Sequence, residues 1–203
     1  MQNVIIEKPY SFIPPHRGTF WIWLFQTFRL YEPHLRNKEG VVGYECRHVE
    51  RLKASLAAGH GILLAPNHCR TADPLVLGFL AREAGTYPHS MASWHLFHQS
   101  RLMAWVLPRM GAFSVNREGI DRQAINTAIE ILEKAERPLV LFPEGAASRN
   151  NDRLHALLDI AFIARGAAKK RAKRVAGGSV VVHPVALKYR FGGDLERQGD
   201  EVL

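Results

Sequence analysis

The chain has 203 residues, of which 47% are hydrophobic and 23% charged, a balance that excludes disordered and collagen-like classes and suits one domain with a sizeable core. Lys and Arg number 27 against 19 Asp and Glu, a formal charge of +8, which favours polyanionic neighbours: nucleic acid, anionic lipid or a phosphorylated substrate. Two cysteines, Cys46 and Cys69, are too few for a disulfide framework, and the stretch Met1–Lys8 has no basic leader followed by an apolar core, so a reducing, cytoplasmic compartment is the expectation.

The first predicted element follows an irregular, Pro-containing start (Pro9, Pro14, Pro15). It is a helix from about Thr19 to Tyr31, stopped before Pro33. Its apolar run falls far short of the roughly 20 residues needed to cross a bilayer. Trp21 and Trp23 leave two readings open: a helix lying on a membrane surface, or a helix packed on the core. A short strand over Val41–Cys46, weakened by Gly43, and a helix over Val49–Ala58 come next. Ile62–Ala65 is a continuous apolar run between Gly61 and Pro66, as a buried strand requires. Asn67–Asp73 is a polar loop. A helix over Pro74–Ala84 follows, with Asp73 as its N-cap and Gly85 past its end.

The alternation continues with a strand at Ser90–Ala92, a helix over Trp94–Leu107 ended by Pro108, and a strand at Ala112–Val115. Asp121–Glu136 is a helix with Ala124, Ile125, Ala128, Ile129 and Leu132 on one face. Leu139–Phe142 is a second buried strand, ended by Pro143. Leu154–Arg174 is mostly helical, with a break expected at Gly166, and Ser179–Val182 is a strand that Val185–Tyr189 extends past Pro184. Strands alternating with helices predict a single α/β domain: a mostly parallel central sheet flanked by helices, preceded by an amphipathic or interfacial helical segment over residues 1–40. In such sheets ligands bind beyond the strand ends. The polar clusters Asn67–Asp73, Asn116–Arg117 and Glu144–Arg149 fall there.

His68 and Asp73 sit between a buried strand and a helix start, where a turn brings carboxylate and imidazole together. A carboxylate on one ring nitrogen leaves the other to accept a proton, the arrangement of a general base. The spacing also fits a plain helix cap at Asp73 and an ordinary loop histidine at His68. Glu144 and Gly145 read as a substrate loop or as a plain turn. Arg117 and Arg149 are candidate phosphate ligands, because a guanidinium fork matches phosphate oxygens, or simply solvated cations. His95 and His98, with His89 and Cys69 elsewhere, hint at zinc, but Trp94, Leu96 and Phe97 favour a core helix, and no metal site is expected. Cys69 beside His68 is an improbable nucleophile pair, since neighbouring side chains point apart. The basic run Lys169–Arg174 fits a solvated helix end better than a lipid or nucleic-acid contact.

In order along the chain, Asn67-His68-x4-Asp73, Gly111-Ala112-Phe113-Ser114-Val115-Asn116-Arg117, Phe142-Pro143-Glu144-Gly145 and Val181-Val182-His183-Pro184-Val185 resemble the four motifs of the glycerolipid acyltransferase family, which includes lysophosphatidic acid acyltransferases. The resemblance covers roughly residues 41–190. It implies that His68 deprotonates an acceptor hydroxyl and that Asp73 orients His68. It further implies that Arg117, Glu144, Gly145 and Arg149 bind a lysophosphatidic acid-like or other glycerol-phosphate acceptor. The donor implied is acyl-CoA or acyl-carrier protein, with no bound cofactor, and the location implied is the inner face of a membrane with an anionic surface. No nucleic-acid partner is expected. Ala146-Ala147-Ser148-Arg149 stands where the family continues Thr-Arg-Ser, and Ser114 stands where Phe is common. The acyltransferase domain, taken as 41–203, ends sooner after the fourth motif than is usual in the family. The competing function is a basic, non-catalytic protein that binds nucleic acid or anionic membrane, with His68 and Asp73 structural.

Overall fold

The computed structural model describes residues 9–145 and 158–193; Arg149 and the polar tail lie outside these. The element order is α1 (Phe20–Thr27), α2 (Glu32–Glu39), α3 (Val49–Ala57), β1 (Gly61–Pro66), α4 (Asp73–Ala84), β2 (His89–Ser93), α5 (Trp94–Phe97), α6 (Arg101–Arg109), β3 (Ala112–Val115), α7 (Arg122–Lys134), β4 (Leu139–Val140), α8 (Leu158–Arg174) and β5 (Val180–Val185). The five strands form one sheet in the order β3-β2-β4-β1-β5, and every pairing is parallel. The expected single α/β domain is therefore present.

β1 is buried along its whole length because both its faces are covered. Leu63 and Ala65 point into a cluster with Ala124, Ala128, Ile129 and Leu132 of α7 and Ile160, Ile163 and Ala167 of α8. Ile62 and Leu64 point the other way, against Val49 and Leu52 of α3 and Leu77 and Ala84 of α4. Each Val, Leu or Ile among them contributes about 1.5–3 kcal/mol on full burial. Gly61 opens the strand where a Cβ would lie 2.2 Å from the Leu132 carbonyl oxygen, so the approach of α7 to β1 admits no side chain. The crossover leaving β1 runs through α4 on one face, whereas the one leaving β4 runs through α8 on the other. Neighbouring strands whose connections part in this way open a crevice at their carboxyl ends. His68 follows β1 there, and Phe142–Gly145 follows β4.

Several expected boundaries move. The helix expected over Thr19–Tyr31 ends at Thr27, and Pro33 opens α2 instead of closing α1, since the first turn of a helix has no use for its missing N–H. Val41–Cys46 is not a strand: Val41 N–H bonds Leu35 O, and the Tyr44 ring stacks on Phe79 of α4 at 4.0 Å, so the segment lies on helices rather than on the sheet. The helix expected over Trp94–Leu107 breaks at His98–Ser100, where Ser100 Oγ caps a new helix by accepting from Met103 N–H, and Pro108 sits inside its last turn. Gly166 does not break α8; a Cβ there would meet Ile129 Cδ1 at 3.1 Å, so the glycine lets α8 close on α7. β5 runs through Pro184, which an edge strand tolerates, but residues 186–189 leave the sheet.

Candidate active site

The turn after β1 folds around one carboxylate. Asp73 is fully buried, and its Oδ2 accepts from His68 Nδ1 at 2.8 Å, Cys69 N–H at 2.7 Å and Arg70 N–H at 2.9 Å. Its Oδ1 accepts from the Tyr189 hydroxyl at 2.6 Å and lies 3.8 Å from the Cys69 thiol. Burial alone would raise the Asp73 pKa. The hydrogen bonds from His68, the Arg70 N–H, Tyr189 and the Cys69 N–H outweigh it, and the carboxyl titrates below its ordinary value. The expected N-cap role is corrected here: Ala72 is the N-cap of α4, and Asp73 is the first helical residue, its carboxylate turned back onto the loop. With an ionised acceptor on Nδ1, the imidazole carries its proton there and presents Nε2 as the basic nitrogen.

The His68 side chain keeps 16% of its exposure, and its ring lies on Phe142, with centroids 4.3 Å apart. The strand-end loop of β4 thus reaches the dyad through Phe142. Gly145 takes a φ of +65° and closes the turn with its N–H on Phe142 O at 3.1 Å. Both carboxylate oxygens of Glu144 are buried and find no hydrogen-bond partner among the described residues. A buried carboxylate in that state is costly unless a ligand supplies donors. Cys69 is a thiol held by its surroundings: burial, then the neighbouring Asp73 charge, push its pKa up to about 11, which removes it as a nucleophile.

Arg117 leaves the end of β3, three strand spacings from β1, or about 14 Å. It is exposed, no contact among the described residues joins it to the dyad, and surrounding protein draws its pKa below the ordinary guanidinium value. Its loop is held by Asp121, which accepts from Asn116 N–H at 3.0 Å, from the Tyr10 hydroxyl, and from Gln123 and Ala124 N–H as the cap of α7. Ser114, where the family favours Phe, is buried and bonds Ile13 N–H through Oγ at 2.8 Å, docking the N-terminal segment against β3. Phe113 enters the core instead.

Other expectations are dispersed or redirected. His89 bonds Gly111 O at the start of β2, Cys69 belongs to the loop after β1, and the His98 ring packs on Trp94 at 4.3 Å; among the described residues no three potential ligands gather around a metal position. In the basic run, Arg171 is buried and donates to the carbonyls of Glu133 and Gly59, so part of that charge ties α8 to its neighbours. A cavity of about 240 Å³ lies at the opposite end of the sheet, beside His89, Glu130, Lys134 and Arg137, away from the dyad. Sequence reasoning missed Tyr189, 116 residues from its partner. It also missed the work of Asn67, whose side chain accepts from Leu187 N–H at 2.6 Å and donates to Leu187 O at 3.0 Å. Its place at the head of the His-x4-Asp motif was the available signal for Asn67; none marked Tyr189.

The sequence model of the family described as Acyltransferase matches residues 44–188. A 1-acyl-sn-glycerol-3-phosphate acyltransferase of Streptococcus pneumoniae (strain ATCC BAA-255 / R6) is 34% identical over 93 residues, covering 44% of this chain and 33% of that protein. The similarity thus spans about a third of that relative's length. No solved structure matches significantly.

Proposed function

This chain belongs to the acyltransferase family, and we propose that it moves a fatty acyl group from a thioester, acyl-CoA or acyl-carrier protein, onto the hydroxyl of a glycerol-phosphate acceptor such as lysophosphatidic acid, in phospholipid synthesis. The observation that carries the reading is the 2.8 Å bond between His68 Nδ1 and a buried Asp73, set in the crevice between β1 and β4. His68 Nε2 takes the acceptor's hydroxyl proton as its oxygen attacks the thioester carbonyl. The tetrahedral adduct collapses by breaking the carbon–sulfur bond, and the proton on His68 passes to the departing thiolate. An ester and a free thiol result. Asp73 keeps the ring oriented and its positive charge compensated while the proton is held.

The unpartnered Glu144 carboxylate suits a free hydroxyl of the glycerol unit, which can donate to it. Arg117, without a carboxylate partner among the described residues, suits the phosphate, lying at the same carboxyl end of the sheet as the dyad but three strands away from it. Arg149 keeps the phosphate role proposed for it on resemblance. No resident cofactor enters this scheme.

Location at an anionic membrane surface is supported by an exposed aromatic platform. Trp21 of α1 meets Trp105 of α6 edge-on at 4.9 Å, Phe20 and Trp23 lie exposed beside them, and the Arg109 guanidinium covers the Trp105 ring at 4.3 Å. Aromatic rings with cations alongside suit the head-group layer. No helix among the described residues is long and apolar enough to cross a membrane. Replacing Trp21 and Trp23 by Ala should lower co-sedimentation with anionic vesicles; unchanged binding would remove α1 from the membrane contact.

The deciding experiment incubates the protein with mixed acyl thioesters and lysolipids, follows thiol release, and identifies the lipid product by mass spectrometry. An acylated glycerol-phosphate lipid is expected. A folded protein that forms no acyl ester from any pair would turn the reading toward a non-catalytic lipid-binding role.

A further inference from the structure

The dyad is held from outside the motifs that resemble the family. Oδ2 of Asp73 takes three donors, of which only one is His68; the other two are the N–H groups of Cys69 and Arg70. A carboxylate turns about its terminal torsion in a broad, roughly two-fold well. A partial turn about that torsion swings Oδ2 out of line with the imidazole and with the two N–H groups. The Tyr189 hydroxyl occupies Oδ1 at 2.6 Å and opposes that rotation. We propose that Tyr189 is a positioning residue for the catalytic base: its hydroxyl fixes the plane of the Asp73 carboxylate so that Oδ2 stays on His68 Nδ1. The inference rests on the acyl transfer proposed above.

Tyr189 is itself well placed for the task. The Arg70 guanidinium lies 4.8 Å from the centroid of its ring, on the same loop as the dyad. The segment leading to it is clamped to β1's exit by both hydrogen bonds between the Asn67 amide and Leu187, and by Asn67 N–H on Val185 O at 3.3 Å. Burial, and then the bond to Asp73, push the Tyr189 pKa up, so the hydroxyl keeps its proton and remains a donor throughout the working range of the enzyme. It lies one residue past the matched stretch 44–188 and outside all four motifs. The remaining titratable and charged groups around Asp73 are His68, Cys69 and Arg70, with Glu144 beside Cys69; none of them supplies a second donor of comparable length to Oδ1 among the described residues.

The test is Tyr189→Phe, read in two ways. In steady-state thiol release, kcat should fall on the order of 10-fold, the scale of one lost hydrogen bond to a charged group, with KM for donor and acceptor nearly unchanged. In the free protein, the downfield proton resonance of His68 Nδ1–H, assigned by its loss in His68→Gln, should shift or broaden. Should Tyr189→Phe prove poorly folded, 3-fluorotyrosine placed at 189, a stronger donor of nearly the same shape, should move the same resonance. A resonance unmoved by these changes overturns the proposal, and so does a loss expressed only in KM. Absence of turnover in the native protein counts against the acyl transfer instead, while the resonance, which needs no substrate, still decides whether Tyr189 holds the dyad.

Discussion

The two ends of the sheet each bury a charge, and they satisfy it in opposite ways. At the carboxyl end, Asp73 gathers donors, one of which is an imidazole that can exchange its proton. At the amino end, Arg137 is 8% exposed and donates to the carbonyls of Tyr87, Pro88, His16 and Arg17, none of which can titrate. Burial draws the Arg137 pKa down to about 10, yet the guanidinium stays charged at neutral pH. One charge is bonded to a titratable imidazole, and the other to a fixed frame that pins the N-terminal segment beneath β2 and β4. A buried charge therefore points to chemistry when a group hydrogen-bonded to it can titrate, and the carbonyls that hold Arg137 cannot.

The largest expected effect is at the carboxyl end. His68→Ala should lower kcat, per folded molecule, on the order of 10²–10⁴-fold if the imidazole acts as the base. Full turnover in the folded variant would break the contrast. Arg137→Ala should do the reverse: a loss on the order of 2 kcal/mol in urea unfolding, from carbonyls left without donors, with activity per folded molecule unchanged. A third effect separates the two ends by pH. Burial and the neighbouring Arg137 charge lower the His89 pKa to about 4. The unfolded chain therefore binds a proton from about pH 6.5 downward that the folded chain refuses, and stability falls as pH drops from about 6.5 to about 4. At pH 5 that is about 2 kcal/mol. Asp73, with a depressed pKa, retains its contribution across that window and loses it only as pH falls below about 4. His89→Asn should flatten the stability curve between pH 7 and pH 5, and urea unfolding at the two values measures it.

What was legible in the sequence was local. β1 announced itself as an apolar run between Gly61 and Pro66, and α7 by its periodic face behind the Asp121 cap. The His68–Asp73 pair was legible because four intervening residues suffice to close it. The break at Ser100 was missed because apolar residues resume directly after the polar stretch His98–Arg101, and only a hydroxyl cap marks the restart. α2 was missed because Pro33 signals both a stop and a start, and only packing of Leu35, Tyr31 and Phe79 decides between them. The acceptor side was less legible than the base: Arg117 and Glu144 stood out at strand ends, but each fitted a solvated cation or a plain turn as well as a ligand. Tyr189 and the Asn67 clamp depend on β5 lying next to β1, a neighbourhood no local pattern encodes.

The span between Asp73 and Tyr189 also gives the site a history. During synthesis the loop holding His68 is complete while 116 residues still separate it from its anchor, and the parallel pairing that brings the anchor home is of the slow, non-local kind. Until β5 docks, the growing chain carries the base without its brace. A product cut or stalled short of Tyr189 would display every residue of the first three motifs and still lack a fixed dyad.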